Sequence, residues 1–137
     1  MILGIDPGTH RVGVAIAELE TRFARPVETV EAASAIARIV ELVTDFDVET
    51  VVVGRPVSLS GEAGPAVDSY AGFLAELRAS LPQGIPVVEH DERLTSVIAQ
   101  QELRQAGVSS KKSRAMIDAV AAQVMLQSYL DASRNGA

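Results

Sequence analysis

Residues 115–126, Ala-Met-Ile-Asp-Ala-Val-Ala-Ala-Gln-Val-Met-Leu, hold no glycine or proline and are apolar almost all the way round a helical projection. No other stretch constrains the fold as strongly. A surface helix carries one apolar stripe, whereas a helix that is apolar on most sides has to be covered on most sides. The rest of the chain must therefore offer this helix a broad apolar surface. One carboxylate, Asp118, stands in the middle of the stretch. Burying it ionised is costly unless a cation or a set of donors compensates. Asp118 thus pairs with an arginine, lies on the one wet stripe of the helix, or holds a positively charged ligand.

The apolar surface can come from short upstream runs. Residues 2–5 are apolar and end at Asp6-Pro7-Gly8-Thr9, where proline fixes φ and glycine accepts a positive one, so a buried strand feeds a tight turn and residues 12–17 return beside it. Residues 25–30 predict a third strand with Pro26 at its start, which makes this first part antiparallel. Ile36, Ile39, Val40 and Val43 then recur at helical spacing within a helix predicted over 32–45. The β-branched run Glu49-Thr-Val-Val-Val-Gly54 suits a fully buried central strand. An irregular loop follows over 55–65, then a helix over 66–81 with Val67, Tyr70, Ala71, Leu74 and Leu77 on one face. A short strand is expected over 87–89, a helix over 95–106, a polar basic connector over 107–113 and a last helix over 114–132. The order reads βββαβαβα, the final α covering the last two helices. It predicts an α/β fold, a mixed five-stranded sheet flanked by helices, in a single domain over 1–137.

A chain of 137 residues with 47% hydrophobic and 22% charged residues has the composition of a globular domain and excludes a disordered chain. The absence of cysteine excludes disulfides, thiolate metal sites and a cysteine nucleophile, so oxygen or histidine must hold any metal. The start Met-Ile-Leu-Gly-Ile-Asp lacks the basic region of a signal peptide, and no run reaches the ~20 apolar residues of a membrane helix. A cytoplasmic protein with no membrane partner is the expectation. Eighteen acidic against twelve basic residues give a net charge of −6, which argues against salt-driven adhesion to nucleic acid as the main activity. A local basic face remains open: Arg11, Arg93, Arg104, Lys111, Lys112 and Arg114 are ordinary solvated charges one by one, and as a group they can contact phosphates.

Three carboxylate sites stand out. Asp6 ends the first strand, Asp91-Glu92 follows the last one, and Asp118 lies on the apolar helix. Each has a plain reading, as a turn residue, as first-turn acids of a helix, or as an ion-pair partner. Carboxylates from distant positions that converge on one spot repel one another unless a divalent cation neutralises them. Oxygen ligands of this kind suit Mg²⁺ or Mn²⁺, which can activate a water and stabilise a leaving oxygen in phosphodiester cleavage. His90 reads as a residue that positions the strand exit.

Taken in order, Asp6-Pro-Gly-Thr-His-Arg-Val-Gly-Val-Ala15, Gly54-Arg-Pro-Val-Ser-Leu-Ser-Gly61, His90-Asp-Glu-Arg-Leu-Thr-Ser96 and Ile117-Asp-Ala-Val-Ala-Ala122 resemble the successive motifs of the YqgF (RuvX) family of bacterial proteins. The likeness runs from Ile2 to about Leu130. It implies a ribonuclease H-like fold related to the RuvC Holliday-junction resolvases, and a nuclease that matures the 5′ end of pre-16S ribosomal RNA. It also implies that Asp6, Glu92 and Asp118 form a catalytic, metal-binding triad for Mg²⁺ or Mn²⁺, with Asp91 as an outer or alternative ligand. One departure falls in the loop after Gly54, where the family commonly reads Gly-Leu-Pro and later Asn-Met-Asp-Gly; this chain has Arg55 and then Ser58-Leu-Ser-Gly61.

Precursor rRNA is the expected partner of such a nuclease. Branched DNA is the alternative, and symmetrical cleavage of a four-way junction would require a dimer rather than a monomer. A non-catalytic RNA-binding assembly factor would keep the same acidic cluster for folding or docking. Asp6-Pro-Gly-Thr also resembles the phosphate loop of actin- and sugar-kinase-like ATPases, but those bind ATP between two such domains and this chain supplies one.

Overall fold

The computed structural model describes residues 1–8, 10–55, 65–91 and 110–136, with side chains at all of these except 65–67, 110–115 and 134–136. The helix expected over 95–106, the loop at 56–64, and Glu92, Arg93 and Arg104 lie outside the described residues.

Strands β1 (Ile2–Pro7) and β2 (Arg11–Ala17) form the expected hairpin, closed by the Gly8 amide donating to the Arg11 carbonyl at 3.0 Å. Strand β3 (Ala24–Glu31) adds antiparallel to β2 on its far side. A 3-10 turn at Ala32–Ser34 leads into α1 (Ala35–Asp45), so the true helix starts three residues later than its apolar spacing implies. Strand β4 (Thr50–Arg55) then enters parallel to β1. After α2 (Pro65–Ser80), strand β5 (Val87–Asp91) pairs parallel to β4, and α3 (Ser110–Gly136) ends the chain. The sheet order is β3-β2-β1-β4-β5. This mixed five-stranded sheet with helices on both faces is the ribonuclease H-like arrangement expected.

Both faces of the sheet are covered, and strand alternation decides what meets what. Leu3, Ile5, Val12, Val14, Ile16, Val51 and Val53 pack against Ile39 and Leu42 of α1 and Leu74 and Leu77 of α2. The intervening residues Ile2, Ala15, Ala17 and Val52 pack against Ala122, Met125, Leu126 and Leu130 of α3. Ala71, expected on the buried face of α2, is exposed, and Phe73 packs in its place. The stripe formed by Tyr70, Leu74, Leu77 and Leu81 leaves position 71 about a quarter-turn to one side.

The connector expected over 107–113 is also shorter than its polarity implies, because α3 begins at Ser110 and Lys111, Lys112 and Ser113 are helical. Nothing after Gly107 breaks a helix, and lysine and arginine are good helix formers. At the other end of α3, Arg22 Nη2 donates to the Leu130 carbonyl at 2.8 Å and to Ser133 Oγ at 2.6 Å. Gln127 accepts from the Ala24 amide at 2.9 Å and donates to the Arg22 carbonyl at 3.1 Å. The turn between β2 and β3 thereby fixes where α3 lies along the sheet.

Candidate functional site

Strands β1, β4 and β5 run parallel, so their carboxyl ends share one edge of the fold, the edge at which sheets with parallel strands offer ligands a crevice. Asp6 stands there, half-buried. Alternation along β1 puts it on the α3 face with Ile2 and Gly4. Directly across the hairpin its partner is Gly13, and a Cβ on Gly13 would collide with the carbonyl oxygen of Asp118. The α3 backbone therefore rests on β2 at this point. Gly4, two residues down β1, meets Leu126 in the same way, with Leu126 Cβ 2.8 Å from where its own Cβ would stand. Between large Val12, Val14 and Ile16, the small residues Gly13, Ala15 and Ala17 form the track on which α3 lies, with the Asp118 backbone against the residue paired with Asp6. That alternation of large and small residues is the sequence signal by which Gly13 could have been recognised.

Asp118 is paired. Arg11 Nε lies 3.0 Å from Asp118 Oδ2, with the two side chains 47% and 25% exposed. The N–H does not point along this line, so the contact is an ion pair without a hydrogen bond, and Oδ2 is buried with no hydrogen-bond partner. Two of the plain readings of Asp118, an arginine partner and a partly wet position, thus hold together.

A buried carboxylate oxygen that accepts no hydrogen bond, at the strand end that carries a second carboxylate, fits a hard cation that prefers oxygen ligands. Asp6 and Asp118 match the donor set of Mg²⁺ or Mn²⁺. Among the described residues no group of three His, Asp or Glu side chains stands close enough to hold a metal ion. The third expected ligand, Glu92, lies outside them.

On β5 the alternation separates two neighbours. Glu89 accepts a hydrogen bond from the Tyr70 hydroxyl of α2 at 2.9 Å, so Asp91, in phase with it, belongs to the α2 face and is exposed. By the same alternation Asp6 belongs to the α3 face. His90 belongs to the α3 face: its Nε2 is 3.1 Å from Ser128 Oγ, and its ring meets Tyr129 edge-on at 5.8 Å and 79°. His90 ties the end of β5 to the helix that carries Asp118. Nothing in the local sequence pattern links His90 to Ser128 and Tyr129.

Burial holds the His90 imidazole below its ordinary pKa, against the opposing pull of Asp91. As pH falls through about 6.5 the unfolded chain takes up this proton before the folded one does, so stability present at pH 8 drains away on acidification. The difference in Tm between pH 8 and pH 5, measured in EDTA, is expected to be smaller in His90→Gln than in the unaltered protein.

Of the expected basic face, Arg11 is engaged with Asp118. Lys111, Lys112 and Arg114 lie on the first turns of α3, where only the backbone is described, and Arg93 lies outside the described residues.

The family model described as "RuvX: Holliday junction resolvase" matches residues 1–132. The chain belongs to the RuvX family. A relative from Chloroflexus aggregans is 47% identical over 137 residues, spanning 98% of this chain and 95% of its own length. One from Mycobacterium sp. (strain KMS) is 46% identical over 136 residues, spanning 96% of this chain and 80% of its own. Both carry the name "Putative pre-16S rRNA nuclease". Among solved structures, RuvC of T. thermophilus in complex with a Holliday junction substrate superposes with a TM-score of 0.61 at 17% identity, over 98% of this chain and 96% of that one. The fowlpox virus resolvase bound to Holliday junction DNA gives 0.54 at 8% identity, over 96% and 97%. At these identities the two structures establish the shared fold, and the family rests on the sequence matches. Among the described residues of this RuvX chain no helix is long and apolar enough to cross a membrane.

Proposed function

We propose that this RuvX protein is a nuclease dependent on Mg²⁺ or Mn²⁺ that hydrolyses phosphodiester bonds at the 5′ end of pre-16S rRNA, with Asp6, Glu92 and Asp118 as cation ligands. The carrying observation is the buried Asp118 Oδ2, which has an ion-pair neighbour but no hydrogen bond, set beside the Asp6 end of β1. The names of the relatives supply the substrate.

Divalent cations supply activation of water and stabilisation of the leaving oxygen at such a site. The protein's part is placement. Gly13 lets α3 approach until the Asp118 backbone rests on the strand position paired with Asp6. His90 holds the end of β5 to the same helix. The alternation that assigns Asp91 to the α2 face supports Glu92 as the carboxylate of its motif in the triad. Arg93, Lys111, Lys112 and Arg114 contact substrate phosphates, a local attraction that a net acidic chain needs in order to hold RNA. The whole of 1–137 acts as one domain in the cytoplasm, and RNA cleavage needs no second copy.

The family's description and the junction-bound structural neighbours favour one second reading, resolution of branched DNA by a homodimer. The deciding experiment is cleavage of a labelled RNA carrying a 16S precursor 5′ extension, beside a labelled four-way DNA junction, in Mn²⁺, Mg²⁺ or EDTA. We expect RNA cut with either ion and intact in EDTA. Cleavage of the junction alone establishes the second reading, and no cleavage of either substrate leaves an RNA-binding assembly factor.

A further inference from the structure

Three arginines of the described structure show how differently this chain uses a guanidinium. Arg38 grips Glu28 with three hydrogen bonds, Nε to both carboxylate oxygens at 3.2 and 3.1 Å and Nη2 to Oε1 at 2.8 Å. Arg22 is hydrogen-bonded to α3 through Nη2. Arg11 is close to Asp118 Oδ2, 3.0 Å from Nε, yet that oxygen accepts no hydrogen bond. The attraction is Coulombic, undirected and therefore easily exchanged. Arg11 is also half-exposed and begins its strand, so its side chain can leave without disturbing the core.

The oxygen it neutralises is the one argued above to suit a divalent cation. A doubly charged ion arriving at this carboxylate oxygen is repelled by a guanidinium already 3.0 Å from it, so the two compete for Oδ2. Among the described residues Arg11 is the cation that ion-pairs with Asp118. We propose that Arg11 is a built-in counter-ion of Asp118 that a divalent cation must displace, and that it thereby sets how tightly the site takes up its ion. This rests on the metal-site reading given above. Arg11 is then a positioning residue of the metal site, in contact with a ligand and not with the ion.

The test is Mn²⁺ binding without nucleic acid, read from the electron paramagnetic resonance signal of free Mn²⁺, on the full chain. Arg11→Gln is expected to bind Mn²⁺ roughly fivefold more tightly, the scale set by loss of a partly exposed ion pair. Its Tm in EDTA should be lower than that of the unaltered protein, and its rise on adding Mn²⁺ larger. Arg38→Gln, which removes the same charge from the helix on the opposite face, should leave Mn²⁺ affinity unchanged. If Arg11→Gln does not fold, Arg11→Met, which keeps the apolar stem, carries the same expectation. Equal or weaker binding by the Arg11 variant, or an equal gain in Arg38→Gln, overturns the proposal and leaves the metal site standing. No Mn²⁺ binding by the unaltered protein, or binding unchanged by Asp118→Asn, overturns both.

Discussion

Asp118→Asn is expected to fold normally and to cut the RNA substrate at least about a thousandfold more slowly in Mn²⁺ or Mg²⁺. The amide is nearly the same size as the carboxylate, so the turn of α3 over Gly13 is undisturbed. It loses the charge that a hard cation requires. The loss to stability is confined to the attraction of Arg11 for Oδ2, and a pair this exposed is worth about 1 kcal/mol or less. Melting followed by circular dichroism should therefore show a Tm close to that of the unaltered protein while cleavage in the same preparation disappears. Cleavage that survives in a folded Asp118→Asn protein would remove Asp118 from the ligand set.

A single methyl group at Gly13 should do comparable harm by a different route. The Cβ of Gly13→Ala would overlap the Asp118 carbonyl, which belongs to helix backbone and cannot rotate aside. The helix has to lift, opening the packing of Ala122, Met125 and Leu126 against the sheet. Overpacking of this kind costs about 2–4 kcal/mol, which for a chain of this size lowers Tm by roughly 10 °C. Because the helix moves at Asp118, cleavage should also fall when assayed well below the new Tm. Gly72→Ala is the control: its added carbon meets nothing within 4 Å, it lies inside α2, and alanine is the better helix former. Its Tm should hold or rise. An equal loss in both variants would mean that the close approach at Gly13 does not set the position of α3.

Much of this architecture is legible in the sequence because it is written in local periodicity. Val12, Val14 and Ile16 alternate with Gly13, Ala15 and Ala17, and that alternation alone announces a strand covered on both sides, by large residues on one face and by something very close on the other. Val51, Val52 and Val53 announce the buried central strand equally plainly. Pairings between distant elements carry no such local signature. That Arg11 reaches Asp118, and that His90 meets Ser128 and Tyr129, depends on how α3 lies across the sheet. Its track is set by Gly4, Gly13 and the hydrogen bonds of Arg22 and Gln127. Helix ends are also poorly written: Lys111 and Lys112 look like a connector because they are polar, but polar residues ahead of an apolar stretch join its helix wherever the backbone permits. The site was legible as a set of carboxylates of the right kind. Placing Asp6 and Asp118 at one strand end took the fold.

Strand β3 forms one outer edge of the sheet, and its pairing with β2 slips between Val14 and Ala15, where Pro26 stands opposite Ala15. Proline offers no amide to a further strand, and an irregularity of this kind bends the ladder away from a straight template. Arg25, Glu28 and Glu31 add charge along the same short strand. Another copy of the chain arriving at this border finds no continuous row of donors and acceptors to extend. The border is thereby protected against runaway sheet growth at the high local concentrations that accompany synthesis, and any pairing of two copies along this border has to be built from side chains.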